Sequence, residues 1–280
     1  MERLTPDAWF LASPARVLGC VAWLLGWLAL EARWYRRTRT PWSGRHVALS
    51  LQTTAIVGTA QVALSLALAP LLWLAWPRRL WTLSMDSWWH WALAWTVVDF
   101  AYYWIHRALH ATRLGWALHA PHHSSLQVTM LDSLRMSWGE QPVGVLVYGI
   151  PLVLLGVPPY VAALFYGFVS LYQFIVHTEM GWSLGALDGI VYTPAAHRSH
   201  HSCERTEADA NYGGFFVVFD RLFGTFTPTR PNDRPAVYGL PDRRASDLAD
   251  VAFGELRRVA AALRSTPGLV AKLRFALTRP

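Results

Sequence analysis

The sequence has few charged side chains and only two cysteines. Charged residues make up 15% of its 280 residues, whereas soluble domains average about 25%. Lysine occurs once, at Lys272, so arginine supplies nearly all of the net charge of +7. Cys20 and Cys203 form no C-x-x-C pair, which excludes a disulfide framework and a cysteine-ligated iron–sulfur cluster.

Motifs of several other functions are also missing. The sequence contains no G-x-G-x-x-G fingerprint, no haem-attachment motif and no nucleic-acid motif. We therefore expect no nucleic-acid partner and no nucleotide-binding site. The basic balance is better explained by positively charged cytosolic loops of a membrane protein.

Long apolar runs are what the sequence does contain. Hydrophobic residues make up 53% of the chain and include 16 tryptophans, which are enriched where lipid meets water. Runs long enough for membrane helices lie at 17–35, 47–76, 88–105, 142–156 and 159–177. The last two form a hairpin that either crosses the membrane or dips into it. We expect the first run to be retained as a helix, since no clear cleavage site follows it.

These runs predict an all-α integral membrane bundle of about four to five membrane helices. Its orientation follows from a basic run behind the first helix, which marks the cytosolic side. That run consists of Arg33, Arg36, Arg37, Arg39 and Arg45. Arg78 and Arg79 would then lie on the opposite side, which counts mildly against this orientation.

Histidines form four groups at the ends of these runs. The groups are His106 and His110; His119, His122 and His123; His177; and His197, His200 and His201. Imidazole is a ligand for zinc, copper, iron and nickel, and a single metal takes about three or four protein ligands. Nine histidines therefore suggest two metals. The order of the runs places all four groups on the cytosolic side, in a histidine-rich helical cap.

Helical spacing predicts how the imidazoles converge. Positions i, i+3 and i+4 share a helix face, so each H-x-x-H-H triplet could point at one metal. Pro121 complicates the first triplet, because proline is tolerated in a first turn. We therefore expect a helix to begin at His122, with His119 just before it. His46 and His90 are expected to lie outside the site.

Two other residues are candidates beside the metals. Asp99 lies on nearly the same face as His106, and an acid inside a membrane run usually has a partner. It could hold a histidine Nδ1–H or pair with another polar group. Cys203 follows the last triplet, and a packed side chain is the simpler interpretation than a thiol ligand.

The histidine pattern resembles the fatty acid hydroxylase/sterol desaturase superfamily. H-x3-H, H-x2-H-H, a lone histidine and H-x2-H-H occur in that order. The block NYGGFFVVFDRLFGTF, from Asn211 to Phe226, is similar to the closing block of that superfamily. YTPAAHRSHHS at 192–202 and SLRMSWGE at 133–140 resemble two further blocks. The resemblance covers roughly 88–229.

The resemblance implies a di-iron oxygenase with the nine histidines as metal ligands. It also implies O2 as a co-substrate, a lipid, fatty-acyl or sterol-like substrate, and either hydroxylation or desaturation. Zinc would also fit the nitrogen ligands in an isolated preparation. Because the chain shows no redox motif of its own, we expect an external electron donor: a ferredoxin, cytochrome or reductase. We expect no catalytic residue beyond the metal ligands.

This sequence departs from the family pattern in two places. Ser137 and Trp138 stand where a His-Pro pair is usual, and Glu179 stands where many members have asparagine. We expect Glu179 either to lie at the surface or to reach the site as a carboxylate. We expect three residues to hold the metal ligands in position through contacts outside the metal sites: Asp99, Glu179 and Asn211.

The predicted organisation has three parts. Residues 1–87 carry membrane helices, 88–229 form the catalytic domain, and 230–280 form a basic cytosolic tail. An amphipathic stretch at 246–264 either lies on the membrane surface or packs on the catalytic domain. Arginine-rich, lysine-poor usage indicates a GC-rich genome, and we expect the protein in a bacterial inner membrane. The alternatives to an oxygenase are a histidine-rich metal transporter and a zinc-dependent lipid hydrolase.

Overall fold

The computed structural model describes residues 14–38, 43–204, 209–230, 232–233 and 237–280. Its helices are α1 (Pro14–Thr38), α2 (Gly44–Arg78), α3 (Trp88–Ala111), α4 (Arg113–His123), α5 (Glu140–Leu154), α6 (Pro159–Val176), α7 (Pro194–His200), α8 (Val218–Leu222), α9 (Leu248–Ser265) and α10 (Leu269–Leu277). Short 3₁₀ turns lie at Asp132–Leu134 and Gly185–Gly189.

The described residues contain no β-strand, only isolated bridges such as Val191 with Phe216. The predicted all-α fold is therefore confirmed. Two helices, Gly44–Arg78 and Pro159–Val176, are long and apolar enough to cross a membrane, and Glu140–Leu154 is a shorter apolar helix. The predicted number of four to five spans and the cytosolic orientation remain predictions. Arg39 of the predicted basic run lies outside the described residues.

The core of the helical bundle lies between α3, α5 and α6. Ala94 and Val98 of α3 are fully buried against Leu152 and Val161, and the hydroxyl of Tyr148 donates to the Val98 carbonyl at 3.1 Å. The turn between α5 and α6 packs on the loop after α2, where Leu80 N–H donates to Leu154 at 2.8 Å. This loop therefore lies beside the tip of the predicted hairpin.

Gly156 makes that turn possible. Its φ is +95°, a conformation that favours glycine. A side chain there would also collide with Trp81, whose carbonyl oxygen lies 2.5 Å from the Cβ position. The hairpin predicted at 142–156 and 159–177 therefore closes at the predicted glycine and prolines.

Helix α9 packs on α4, which carries the second histidine group. Val251, Ala252 and Val259 of α9 are buried, and Asp247 caps its start by accepting from the Asp250 amide at 2.9 Å. Of the two interpretations of 246–264, packing on the catalytic domain is the one that the structure adopts.

Helix α1 is anchored by a buried acid. Glu31 has no exposed surface, and its carboxylate accepts from the Met130 amide at 3.0 Å and from the Thr178 hydroxyl at 2.5 Å. Thr178 follows His177, so α1 is tied to the segment that carries the lone histidine of the site.

Replacing Glu31 with alanine is expected to weaken this anchor. The buried amide and hydroxyl would each lose their acceptor, at about 1–3 kcal/mol per unpaired group. We expect the midpoint of thermal unfolding of the detergent-purified protein to fall by at least about 5 °C. Arg37→Ala, an exposed change on the same helix, is the control and should leave the midpoint unchanged. An unchanged midpoint in Glu31→Ala would show that the anchor carries no stability.

Candidate metal centre

The first two histidine groups meet at a helix reversal. His106 and His110 lie one turn apart at the end of α3 and are both buried. Thr112 ends α3 and starts α4, accepting a hydrogen bond from the Gly115 amide at 3.0 Å. The reversal folds α4 back along α3, and His119 Nε2 comes to lie 3.1 Å from His106 Nε2.

The helix carrying His119, His122 and His123 ends at the triplet instead of beginning there. Helix α4 runs from Arg113 to His123 with Pro121 inside it, so the predicted helix start at His122 is wrong. The reason is local: the Thr112 cap initiates the helix eight residues before Pro121. The proline falls in the last turn, where its missing N–H removes one hydrogen bond and the helix ends two residues later.

The remaining four histidines come from α6 and α7. His177 follows the last residue of α6. Thr193 caps α7 and Pro194 occupies its first turn, as helix starts favour. His197 and His200 lie in that helix, and His201 is its C-terminal cap. His197 Nε2 lies 2.7 Å from His177 Nδ1 and 3.1 Å from His201 Nε2.

The nine imidazoles form two adjacent groups. The five-histidine group contains His106, His110, His119, His123 and His200; the four-histidine group contains His122, His177, His197 and His201. Within each group, one nitrogen from every imidazole lies within 4.8 Å of the others. All nine predicted histidines are thus brought together, whereas His46, His90 and Cys203 belong to neither group.

Each triplet is divided between the two groups, so the expectation that a triplet serves one metal is wrong. The first and last histidines of each triplet lie in one group, and the middle histidine lies in the other. The cause is helical rotation of about 100° per residue. Residues i and i+4 differ by about 40°, whereas i+3 and i+4 differ by about 100°. Helices α4 and α7 therefore each contribute to both groups.

Nitrogen positions in the site fit metal ions. His106 Nδ1 donates to the Tyr212 carbonyl at 2.9 Å, and His119 Nδ1 donates to Glu140 Oε1 at 3.1 Å. In these neutral tautomers both Nε2 atoms are unprotonated and face each other at 3.1 Å. Two nitrogen lone pairs at this distance repel each other unless they share a cation or a proton. Ligand nitrogens at about 2.1 Å from one ion and at right angles would lie about 3.0 Å apart.

Further nitrogens are buried without a hydrogen-bond partner among the described residues. They are His110 Nε2, His122 Nδ1, His123 Nε2, His197 Nδ1 and His200 Nε2. Buried polar atoms of native proteins are usually paired. An all-imidazole donor set suits iron and also zinc, so the residues present fit the predicted pair of metal ions.

Burial also keeps these imidazoles neutral. Desolvation lowers the pKa of His119 and of His122 to about 3. For the same reason the pKa values of His123, His200 and His201 lie well below the ordinary value. Because metal binding needs the unprotonated nitrogen, the site is prepared for cations at neutral pH.

The block from Asn211 to Phe226, together with Ala210 just before it, orients the histidines through backbone carbonyls. His106 donates to the Tyr212 carbonyl, and His200 Nδ1 donates to the Ala210 carbonyl at 2.9 Å. The buried carboxylate of Asp220 accepts from the amides of Tyr212 and Gly213 at 2.7 and 2.8 Å. Burial raises the pKa of Asp220, the hydrogen bonds from Thr225, Tyr212 and Gly213 lower it, and the net pKa is about 6. At pH 7.5 the group is therefore an ionised acceptor.

Asp99 supports the same block but does not hold a histidine. Its two carboxylate oxygens accept from the amides of Phe215 and Phe216 at 2.8 and 2.9 Å. Two roles were predicted for Asp99: holding a histidine, and pairing with another polar group. The structure shows the second. The backbone of the block competes for the carboxylate because Gly214 brings it within contact distance, with Asp99 Oδ1 only 2.6 Å from the Cβ position of Gly214.

Asn211 acts as a backbone clamp. It is fully buried with a φ of +57°, and its side-chain oxygen accepts from the Thr227 amide at 2.9 Å. Its side-chain nitrogen donates to the Thr227 carbonyl at 3.1 Å. Asn211 therefore fixes the end of the segment that presents Ala210 and Tyr212 to the histidines.

Glu179 differs from the surface position expected for it, whereas Cys203 is packed against a neighbouring segment and is not a ligand. Glu179 is buried, with 7% of its surface exposed, and belongs to neither histidine group, so the surface position expected for it is wrong. Cys203 is half-buried and its thiol lies 3.5 Å from the Val237 carbonyl. Packing of the 237–280 segment on this side of the domain accounts for the contact with Cys203.

A buried polar network beside the site was not expected from the sequence. Asp132 accepts from His46 Nε2 at 2.9 Å, from Ser50 at 2.7 Å and from Thr129 at 2.7 Å. Burial by itself raises the pKa of Asp132, but the hydrogen bond and charge of His46 and the other donors lower it to about 2. His46 therefore joins α2 to the segment around Asp132, and it lies outside both histidine groups as expected. The single available signal was an acid and a histidine in otherwise apolar surroundings.

Arg135 extends this network towards the histidines. It is 2% exposed and donates to the hydroxyls of Ser124 and Ser50 at 3.2 and 3.1 Å. Ser124 directly follows His123. Ser137, at a position where the family usually has histidine, accepts from the Glu140 amide at 3.1 Å. The SLRMSWGE block thus positions Glu140, which in turn holds His119.

Two imidazole groups beside apolar helices fit a metal-binding helical protein that associates with a membrane. A sequence model of the family described as fatty acid hydroxylase matches residues 91–225, the segment that carries all nine histidines. The chain therefore belongs to the fatty acid hydroxylase/sterol desaturase superfamily, which confirms the resemblance found in the sequence. No solved structure matches the chain.

Curated relatives of the chain are lipid oxygenases by name. Alkylglycerol monooxygenase of Homo sapiens is 38% identical over 195 residues, which are 69% of this chain and 43% of that protein. Alkylglycerol monooxygenase of Danio rerio is 43% identical over 158 residues, 56% of this chain and 34% of that protein. Ornithine lipid hydroxylase OlsE of Rhizobium tropici is 31% identical over 158 residues, 56% of this chain and 46% of that protein. The matches span less than half the length of each relative.

Proposed function

We propose that the protein is a membrane-bound di-iron oxygenase that hydroxylates an unactivated C–H bond of a lipid. The observation that carries the proposal is the pair of adjacent groups of five and four buried imidazoles. Two iron ions, when bound, supply the activation of O2 that no side chain can provide. A single zinc ion of a hydrolase would use about three or four protein ligands and leave the other histidines unexplained.

The roles of the protein's own residues follow from the contacts around the imidazoles. The carbonyls of Ala210 and Tyr212 and the carboxylate of Glu140 each accept a proton-bearing Nδ1. They thereby turn Nε2 of His200, His106 and His119 towards the site. Such outer partners fix the tautomer and increase the basicity of a ligating imidazole. Burial of all nine rings keeps bulk water away from the reaction.

The substrate is a lipid that reaches the site from the membrane. Apolar helices α2 and α6 support membrane embedding, and we infer a cytosol-facing site in a bacterial inner membrane from the order of the predicted spans. Alkylglycerol monooxygenases share 35–43% identity with the chain against 31% for the ornithine lipid hydroxylase. An alkylglycerol-type ether lipid is therefore the first substrate to test. Electrons come from an external donor, which the basic cytosolic surface would attract if the donor is acidic.

Oxygen labelling tests the proposal. The protein is purified after growth with iron and incubated with 1-O-hexadecylglycerol, a reductant and 18O2. We expect about two irons per chain and one 18O atom in the hydroxylated product or in a product formed from it. Label from H2 18O alone would indicate a hydrolase. Absence of bound transition metal would overturn the assignment.

The alternative function, a metal transporter, predicts metal uptake instead of lipid oxidation. Metal uptake into vesicles that contain the protein, abolished by His200→Ala, would support transport. Its ligands tend to lie at the membrane midplane, whereas the histidines here lie at the ends of α3, α4, α6 and α7.

A further inference from the structure

A small cavity reaches the metal centre from between α3, α5 and α6. Its volume is about 40 Å³, room for about three water-sized groups. The residues lining it are Tyr102, Ile105, His106, Leu109, Glu140, Gly144, Tyr148 and Tyr166. The cavity therefore has two histidine-site residues, His106 and Glu140, at one part of its wall and mainly aromatic or aliphatic side chains elsewhere.

The polar part of the wall has an unused hydrogen-bonding atom. Glu140 Oε1 accepts from His119 Nδ1 at 3.1 Å. Glu140 Oε2 is buried and makes no hydrogen bond within the described part of the chain. A buried oxygen without a hydrogen-bond donor is unfavourable. A ligand hydroxyl in the cavity would relieve that penalty, because a hydroxyl can both donate and accept.

The outer wall is suited to an alkyl chain. Val143, Leu146 and Val147 of α5 flank Gly144 in the sequence and are 39–55% exposed. Glycine at position 144 leaves the wall open, since nothing lies within 4 Å of its Cβ position. An alkyl chain that follows this face of α5 would meet apolar side chains along its path and enter the cavity beside Gly144.

We propose that this cavity binds the hydroxyl-bearing end of a single-chain lipid, with the hydroxyl hydrogen-bonded to Glu140 Oε2. The alkyl chain leaves past Gly144 along α5 into the surrounding lipid. The inference rests on the proposed function and adds a substrate class to it: long-chain lipids with a free hydroxyl near the oxidised carbon. Glu140 then has two tasks, because it orients His119 and also positions the substrate.

Binding tests the cavity without relying on turnover. Radiolabelled 1-O-hexadecylglycerol is equilibrated with the detergent-purified wild-type protein, with Gly144→Leu and with Gly167→Leu. Gly167 is the matched control, because it lies on α6, has open space at its Cβ position and does not line the cavity. We expect Gly144→Leu to weaken binding at least tenfold with iron content unchanged, and Gly167→Leu to bind like the wild type. Equal binding by all three proteins would overturn the proposed site.

A second ligand tests the hydroxyl. Hexadecyl propyl ether has the same chain and ether oxygen as 1-O-hexadecylglycerol but lacks both hydroxyls. We expect it to bind the wild-type protein at least tenfold more weakly, and equal affinity would remove Glu140 Oε2 from substrate recognition. If hexadecylglycerol binds as expected but is never oxidised, the cavity assignment stands and the proposed oxygenase activity fails. If oxidation occurs and Gly144→Leu leaves binding unchanged, the oxygenase stands and the cavity assignment fails.

Discussion

Replacing His197 with alanine is expected to abolish lipid oxidation and to lower bound iron from about two ions to about one per chain. His197 belongs to the four-histidine group, and its Nε2 atom lies 2.7 Å from His177 Nδ1 and 3.1 Å from His201 Nε2. Its loss leaves three ligands in that group, while the five-histidine group is untouched. We expect turnover to fall by more than about 100-fold, beyond what the loss of an outer partner produces.

Two companion variants test the division of the histidines. His110→Ala leaves four imidazoles in the five-histidine group, so we expect it to retain about two ions, the number that four ligands at each site can hold. Its activity should fall less than that of His197→Ala. His90→Ala removes a histidine that contacts Ser84 and Trp89 outside both groups and should match the wild type. Metal analysis and turnover on the same preparations give both readouts.

Three outcomes would contradict the division. Two irons and full turnover in His197→Ala would exclude His197 as a ligand. Equal loss of both ions from His110→Ala and His197→Ala would show one shared site instead of two groups. Loss of iron from His90→Ala would place the ions elsewhere. Recovery of each variant at the same elution volume from detergent size-exclusion chromatography shows that the comparison is between folded proteins.

The sequence was sufficient to predict which histidines come together. Two of the four groups lie at the ends of apolar runs and two in the polar segments that follow, and the order of the runs placed all nine imidazoles at one end of a helical bundle. The family model matches residues 91–225, in agreement with the resemblance that the Asn211–Phe226 block indicated. The division into five and four was also encoded, since helical rotation separates the middle histidine of H-x2-H-H from the other two. The rule that positions i, i+3 and i+4 share one helix face neglects the difference of about 100° between i+3 and i+4.

Pro121 shows where a local rule was outweighed. Proline favours a first turn, but the Thr112 cap lies earlier in the chain and controls where α4 begins. The position of α9 shows a different limit. An amphipathic pattern predicts a buried face without identifying what covers it, and in the structure that partner is the histidine helix α4.

Buried acids were the least predictable part of the site. Glu31 and Asp99 accept from backbone amides far away in the sequence. Asp220 accepts from the amides of Tyr212 and Gly213 within its own block. Backbone donors leave no trace in the side-chain sequence, so an acid in an apolar run predicts a partner without naming it. Glu31 is the clearest case, because its partners Met130 and Thr178 lie about a hundred residues or more away.

Asp220→Ala is expected to have the largest effect of any change outside the histidines. Its carboxylate accepts from Tyr212 N–H, Gly213 N–H and the Thr225 hydroxyl at 2.7–2.8 Å. Alanine leaves the buried amides of Tyr212 and Gly213 without an acceptor and removes one of the two partners of the half-buried Thr225 hydroxyl, which amounts to about 3–5 kcal/mol. That is a large part of a typical folding free energy of about 5–15 kcal/mol. We expect the thermal midpoint to fall by more than about 10 °C.

The same substitution is expected to disturb the metal centre through the Tyr212 carbonyl, which accepts from His106. When the Tyr212 segment moves, His106 Nδ1 loses its acceptor and its ring is no longer held in the tautomer that presents Nε2. Outer partners of this kind contribute about 10–100-fold to metal affinity or activity. Asp220→Asn keeps the shape but points an amide donor at one of the donors, so its defects should be smaller and of the same kind. Asp242→Ala, which breaks the exposed pair with Arg258, should leave stability and iron content unchanged. Wild-type stability and iron content in Asp220→Ala would mean that the Asn211–Phe226 block holds His106 without its carboxylate.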